Sequence, residues 1–421
     1  MKDKIKIAVT GGSGVYTPGL MLSIVKNIDK LPEMDIVLCG RTKDKLEKIF
    51  TVSDLIASES KGRLRVYRNT SMEDAIEGSD VVINQVRVGG FEARSRDESF
   101  AGELGIVEEE TIGVVGLSNA LRTIPVVLRY AELTEKLAPD AWFLNFTNPA
   151  SMTIRAIKRK TGLKVFGVCD LPEVLAHAIS DALGESRENL YFKYAGINHM
   201  GWITDVIKSG KSIINAVFGI AEKLGHLGVD PDIIRFSGAV PVPFLKYYYH
   251  PDIQIEKARK KGITRGDELN QLESELLKVY SDKSIQGRIG AIKSLLFQKR
   301  NPVWYEYCVA PVLVSLFGEV HSTHIVMIEN NGAVEELADD DIAEVTAYID
   351  GNGIKPVKDT KIPLIAKGLL KSIACFESLA VDAVSEPDEN NILRALMSHP
   401  AVPSYRIAKE SLSYLMKQVK A

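Results

Sequence analysis

Ile5-Lys6-Ile7-Ala8-Val9-Thr10-Gly11-Gly12-Ser13-Gly14-Val15-Tyr16-Thr17-Pro18 is the stretch on which the fold turns. Ile5, Ile7 and Val9 alternate as a strand does, and the glycines break that pattern. Leu20, Met21, Ile24, Val25 and Ile28 then recur at helical spacing. Strand, glycine turn and helix in this order form the context in which a glycine loop cradles a dinucleotide. The glycines permit a tight turn and let the backbone approach a pyrophosphate on the helix N-terminus. Gly11, Gly12, Ser13, Gly14 and Tyr16 are therefore candidate cofactor contacts. The third glycine of the usual pattern would fall at Thr17 and is absent, so a plain strand-to-helix turn is the competing reading.

Working outward, residues 35–39 form a second strand and 43–55 a helix. Residues 64–67 read as a third strand, Ser71 caps a short helix, and 81–83 is a strand of the buried type. A long helix leads into a strand at 142–146, followed by a helix from Met152, a strand at 165–169 and a helix from Pro172. Such a βαβ series predicts an α/β, Rossmann-like and mostly parallel sheet with helices on both faces. Its ligands belong at the C-terminal ends of the strands. Beyond Tyr194 helical periodicities dominate: 265–277 and 285–296 are amphipathic, and long helices cover 362–383 and 405–417. A strand at 325–328 turns through Asn330-Asn331-Gly332 and returns at Val334. The expected organisation is a dinucleotide-binding domain over 1–194 and a helix-rich α+β domain over 195–421. The second domain carries a small mixed or antiparallel sheet and the substrate, metal and oligomerisation surfaces.

Composition narrows the function classes. Lys plus Arg is 52 against Asp plus Glu 55, with no long basic run, which argues against a nucleic-acid partner. No apolar stretch reaches membrane-span length, so no membrane partner is expected. Met1-Lys2-Asp3-Lys4 runs straight into a strand and leaves no room for a signal peptide. Four cysteines in 421 residues are no disulfide framework, and a reducing cytoplasm is expected.

Each later strand delivers polar residues where such a fold places its site. Arg41 stands where NAD sites carry an acid; a guanidinium there suits a 2′-phosphate, so NADP stays open beside NAD. After residue 83 come Asn84, Gln85, Arg87, Arg94, Asp97 and Glu98 around Gly89-Gly90, with Asn84 a cofactor candidate. The two arginines and two acids fit either an anion clamp or a salt-bridged surface loop. Asn148 suits a sugar hydroxyl or nicotinamide, or caps the helix after it. Cys169 and His199 end consecutive strands. They read as a metal pair with positions open to substrate, as a thiolate–imidazolium nucleophile, or as buried packing. On softness alone the thiolate favours Zn, Fe or Co over Mn.

Taken together, the motifs resemble glycoside hydrolase family 4, the NAD- and divalent-metal-dependent glycosidases, nearest the 6-phospho-glucosidase members. The matching stretches are Gly11-Gly12 with Tyr16-Thr17-Pro18, Arg87-Val88-Gly89, Arg94 with Asp97-Glu98, Glu110-Thr111-Ile112-Gly113 and Arg122. Further along are Asn145-Phe146-Thr147-Asn148-Pro149, Cys169-Asp170-Leu171-Pro172, Asn198-His199-Met200-Gly201-Trp202, Asn330-Asn331-Gly332 and Ser398-His399-Pro400. The resemblance implies oxidation at sugar C3, loss of the C2 proton and elimination of the aglycone, with the hydride finally returned. It also implies Mn2+ or another divalent metal on Cys169 and His199, overriding the softness argument, and Asp170 as the acid. Arg87, Arg94, Glu110, Asn148, Asn198 and Arg300 become substrate-side residues of a small-molecule glycoside site, in a homodimer or homotetramer.

The chain departs from that pattern at the base. Where the glucosidase members carry a tyrosine, this sequence has Phe244, leaving Tyr247 and Tyr248 as the candidates nearby. Arg300-Asn301-Pro302 replaces an Arg-Gly-Gly, and the acid after the second strand is missing. A glycosidase with a relocated base is the leading expectation. The alternatives are an NAD(P)-dependent sugar or polyol dehydrogenase and a non-catalytic sugar- or nucleotide-binding relative.

Overall fold

The computed structural model describes residues 2–282, 288–358 and 360–419. Six strands, β1 (Lys4–Thr10), β2 (Glu33–Cys39), β3 (Leu64–Asn69), β4 (Val81–Asn84), β5 (Trp142–Asn145) and β6 (Lys164–Gly167), pair in parallel in the order β3-β2-β1-β4-β5-β6. That is the doubly wound order, and it reverses between β1 and β4, where such sheets open a ligand crevice. The short β4 is buried on both faces, as a strand covered by helices must be.

Seven further strands continue the same sheet. They are β7 (Leu190–Ile197), β8 (Met200–Lys208), β9 (Lys211–Ser212), β10 (Val240–Pro241), β11 (Ser322–Glu329), β12 (Ile342–Asp350) and β13 (Gly353–Pro356). All pair antiparallel, and the full order is β10-β8-β7-β12-β11-β6-β5-β4-β1-β2-β3, with β13 on β12 and β9 on β8. The second half's strands are thus not a small sheet of their own. They extend the parallel sheet from the edge of β6, whose unpaired backbone would otherwise face solvent.

The register aligns one row across this sheet: Cys39, Thr10, Asn84, Asn145, Gly167, Met327, Glu344, Gly196 and Gly201 are successive partners. β1, β2, β4, β5 and β6 all end on this row, and so does the β7–β8 hairpin. Everything that projects just past it therefore converges on one side of the molecule. Cys169 and His199 both lie there, although β11 and β12 stand between β6 and β7 in the sheet. Ends that are consecutive in sequence are not adjacent in space.

Helices cover both faces. Thr17–Lys26 begins earlier than its apolar periodicity, because Pro18 suits a first helical turn. Lys43–Ala57, Gly113–Leu137, Leu364–Ser385 and Tyr405–Val419 match the long helical stretches. The Ser71 hydroxyl accepts the Asp74 N–H as a cap. The amphipathic stretch at 285–296 corresponds to the helix Ile289–Arg300; its residues 285–287 lie outside those described. The return expected at Val334 is delayed to Ile342. Between them the Asn330 side chain binds the backbone of Val334 and Leu337 and closes an irregular loop. Among the described residues no helix is long and apolar enough to cross a membrane.

Candidate functional site

A cavity of ≈ 1110 Å³ opens along the row of strand ends. At the switch point its floor is the turn after β1. Gly11 sits at φ 76°, and a Cβ there would stand 2.9 Å from the Gln85 backbone; one on Gly12 would stand 2.8 Å from the Leu38 and Cys39 backbone. The turn is pressed between the ends of β4 and β2, so these positions exclude side chains for packing reasons alone. Gly11, Ser13, Gly14, Tyr16 and Arg41 line the cavity. Thr17 occupies the place of the third glycine, and its hydroxyl accepts from the Gln85 amide at 2.9 Å. Gln85 in turn accepts from Tyr305 at 2.7 Å, which ties the second half of the chain to the turn. Pro302 of the departing Arg-Asn-Pro stretch packs against Gly19 in the same helix.

Asn84 is placed differently from the expectation. It is fully buried and absent from the cavity wall; it accepts from Thr10 at 2.7 Å and donates to Asn145 at 2.8 Å. Its amide is consumed in stitching three strand ends together, because a polar side chain in a buried row must find its partners within the row.

Arg87 and Arg94 form neither an open anion clamp nor a surface loop. Arg94, only 8% exposed, projects from the helix Gly90–Leu104 and reaches Glu98 at 2.6 Å, Glu110 at 3.0 Å and Glu109 at 3.6 Å. Arg87 reaches Glu110 at 2.7 Å, and Asn148 donates to the other Glu110 oxygen at 3.1 Å. Asn148 therefore does not cap the helix Ala150–Lys160 through its side chain. Against the effect of burial, the two guanidiniums hold Glu110 well below the usual carboxylate range. Glu109 has only the longer Arg94 contact and no hydrogen-bonded guanidinium. Burial, outweighing Arg94 and reinforced by Glu110 and Glu98, pushes it up to about 7.

Cys169, Asp170, Asn198, His199 and Arg300 line the opposite end of the same cavity. Cys169 precedes the helix Asp170–Leu183, and its carbonyl accepts from the Cys308 thiol at 3.3 Å. Burial, with Glu344 and Asp170 nearby, pushes the Cys169 thiol up. Burial also raises the Asp170 carboxyl, against the pull of Arg300. The Arg300 guanidinium lies over the rings of Tyr16 and Trp304, at 5.1 and 4.8 Å from their centres. His199 sits at the tip of the β7–β8 hairpin with φ 62°, and its Nδ1 is 2.9 Å from the Thr111 hydroxyl. Burial lowers its pKa to about 4, so the ring is neutral. Phe244 covers that ring at 4.0 Å between centres, and Tyr247 meets Phe244 edge-on at 5.1 Å. Tyr247 lines the cavity with its hydroxyl facing Glu109; burial and that carboxylate raise it well above the usual phenol range. Tyr248 does not line the cavity and lies 3.5 Å from His399 instead.

The donor chemistry fits a divalent ion. Thr111 engages Nδ1 and leaves Nε2 of a neutral imidazole free, the arrangement by which hydrogen-bonded partners orient a metal-binding histidine. Among the described residues no group of three or more His, Cys, Asp or Glu could hold a metal; an ion held by Cys169 and His199 alone would keep positions open to substrate. The turn fits a dinucleotide, since Ser13 and Gly14 bring backbone to the cavity edge at the start of a helix. Gln85 is among the polar residues expected after β4, but Glu109 and Thr111 carry no role in the sequence, where nothing local separates Glu109 from its neighbours Glu108 and Glu110.

Residues 6–185 match the family model described as family 4 glycosyl hydrolase, and residues 194–402 match that family's C-terminal domain. The chain belongs to glycoside hydrolase family 4. Among family relatives, it is 30% identical to a probable 6-phospho-beta-glucosidase of Bacillus subtilis, over 100% of this chain and 98% of that one. It is 27% identical to a 6-phospho-alpha-glucosidase of Leptotrichia buccalis, over 99% and 98% respectively. The fold superposes on the 6-phospho-beta glucosidase from Thermotoga maritima, solved with manganese, NAD+ and glucose-6-phosphate. The TM-score is 0.89 at 26% identity, covering 99% of this chain and 98% of that one. Family 4 relatives of both alpha and beta type are thus similar to this chain along nearly its whole length.

Proposed function

We propose that this family 4 chain hydrolyses a 6-phospho-glucoside or a related glycoside by transient oxidation at C3, removal of the C2 proton and elimination of the aglycone. The observation that carries the reading is that the dinucleotide turn and the Cys169–His199 pair open into one cavity. When bound, a nicotinamide cofactor supplies reversible hydride removal at a sugar carbon, and a divalent ion such as Mn2+ supplies Lewis-acid stabilisation of charge on the neighbouring oxygens.

The chain's own residues supply the rest. Cys169 and His199 would hold the ion, with Thr111 fixing the imidazole. Asp170, at the N-terminus of its helix and lining the cavity, is assigned the acid that protonates the departing oxygen. Arg300, Asn148, Asn198 and the Arg87–Arg94–Glu110 lattice are assigned to orient the sugar and its phosphate. For the C2 proton we assign Glu109. Phe244 offers no acceptor and Tyr248 lies behind the wall. Tyr247 holds its own proton too tightly to accept another near neutrality. Glu109 lines the cavity, has no hydrogen-bonded cation, and burial raises its carboxyl toward the range where a general base is effective. Tyr247 beside it is a positioning residue.

The test is a panel of plain and 6-phosphorylated nitrophenyl glycosides with NAD or NADP and Mn2+, under reducing conditions in deuterated water. Aglycone release that needs both additions, with solvent deuterium at C2 and no net cofactor reduction, is expected. Net accumulation of reduced cofactor would instead make the chain a sugar or polyol dehydrogenase. Binding of cofactor and metal without C2 exchange on any glycoside would sink the reading.

A further inference from the structure

Along the row of strand ends, away from Cys169, the cavity continues past the glycine turn to a second wall. Arg41, following β2, forms one side of it, and Val126, Arg129, Tyr130 and Leu133 of the helix Gly113–Leu137 form the other. Arg41 and Arg129 come from distant parts of the chain, yet both act on the Tyr130 phenol, with Cys39 at the end of β2 as its other neighbour. Among the described residues neither guanidinium has an ion-pair or hydrogen-bond partner. Other cations of the cavity are mostly engaged, although among the described residues Lys257 and Arg300, the latter packed on the Tyr16 and Trp304 rings, also lack a carboxylate partner. Arg87, Arg94 and Arg265 are all spent on carboxylates, and Lys45 is spent on Glu273. Two exposed guanidiniums on one stretch of wall without carboxylate partners give it a positive potential that favours an incoming anion.

The position matters as much as the charge. In a doubly wound sheet the end of β2 meets the adenosine ribose, and an acid there accepts both ribose hydroxyls of NAD. This chain runs Cys39-Gly40-Arg41-Thr42 through that point. The nearby carboxylate that lines the cavity and is free of a lysine or arginine is Glu73. It stands on the helix Met72–Ile76 and faces the Cys39 thiol. Tyr130 and the planar guanidinium of Arg41 offer stacking surfaces for an adenine beside the charge.

We propose that this end of the cavity binds a 2′-phosphorylated adenosine, with Arg41 and Arg129 clamping the phosphate, so that the chain takes NADP in preference to NAD. The proposal rests on the cofactor half of the function assigned above and is independent of its elimination chemistry. Arg41 and Arg129 are exposed, so replacing them leaves the core undisturbed.

Calorimetric titration of the full chain with NADP and with NAD, without substrate, decides it. NADP is expected to bind at least tenfold more tightly, with a margin that shrinks as salt rises. Arg41→Ala and Arg129→Ala should each lower NADP affinity at least tenfold more than NAD affinity, and the pair together should erase the preference. Adenosine 2′,5′-bisphosphate should compete where 5′-ADP does not. Equal or tighter binding of NAD, or a parallel loss of both nucleotides in the arginine variants, overturns the proposal and leaves the glycosidase reading intact. So does a loss of NAD binding in Glu73→Gln that NADP does not share, since Glu73 would then be holding ribose hydroxyls. Failure of the wild-type chain to bind either nucleotide overturns both.

Discussion

At the β2 end of the cavity Arg41 and Arg129 stand without carboxylate partners, whereas toward β7 Arg87 and Arg94 are both held by Glu110. The first end is built from backbone: Gly11 and Gly12 are pinned between neighbouring strands, and the free charges lie at the surface. The second is built from side chains that have neutralised one another, with Arg94, Glu109 and Glu110 buried and Arg87 at the exposed edge. Each kind of construction has a cost. Open arginines keep a positive potential until an anion arrives. The buried lattice has more carboxylates than its guanidiniums can reach closely, which leaves Glu109 as the one pushed up to about 7. In this molecule binding is assigned to unspent charge, and proton transfer to the carboxylate left over from a charge balance.

The most damaging way to break the second end is Glu109→Gln, which keeps shape and removes the acceptor. Cleavage should fall by about 10²–10⁴-fold, the usual contribution of a general base. The sign of the pH dependence follows from the role. Glu109 must be ionised to accept a proton, so kcat/KM in the parent rises with pH on an acid limb lying above the usual carboxylate range, and that limb disappears in the variant. A variant that loses activity but keeps the limb would assign the titration, and the base, to another group. Cofactor binding, measured separately, should hardly move.

Gly12→Ala is the matching attack on the first end, with a smaller effect. The new methyl would stand 2.8 Å from the backbone of Leu38 and Cys39, neighbours that cannot yield without shifting β2. Overpacking of this kind costs about 1–3 kcal/mol. Urea denaturation should register that loss, accompanied by weaker nucleotide binding. An unchanged midpoint would mean that the turn is looser than its contacts imply.

The two ends also differ in how far the sequence discloses them. The glycine turn is legible because strand, turn and helix are contiguous, and local periodicity carries the whole signal. Cys169 and His199 are legible as residue types at strand ends, but not as lining one cavity. The strands between them, β11 and β12, come from residues 322–350, and no local pattern announces where those insert. Asn84 illustrates the opposite error. Its position beyond a buried strand suggested a ligand contact, but the side chain is absorbed by Thr10 and Asn145, partners fixed only by the register. Glu109 and Arg129 were hidden for one shared reason. What distinguishes each is how little counter-charge it meets, one distant guanidinium for Glu109 and none among the described residues for Arg129, and that depends on every residue around it in space.

Phe244→Tyr gives the finest discrimination between the ends, and the smallest expected change. The Phe244 ring lies 4.0 Å from the His199 ring and 5.1 Å from Tyr247, so a hydroxyl added to it would be borne by a ring already packed on the histidine proposed to hold the metal. If the family's tyrosine has simply been lost, restoring it should raise cleavage by a hundredfold or more. If its work has passed to Glu109, a phenol beside a functioning carboxylate adds little, and the change should stay below tenfold. The double variant with Glu109→Gln separates these outcomes, because residues sharing one task are not additive. Rescue of Glu109→Gln by the new tyrosine, beyond its effect on the parent, would show that both positions reach the same C2 proton. No rescue, together with a small single effect, would mean that the cavity has been rebuilt around the carboxylate and that Phe244 now serves to keep water off His199.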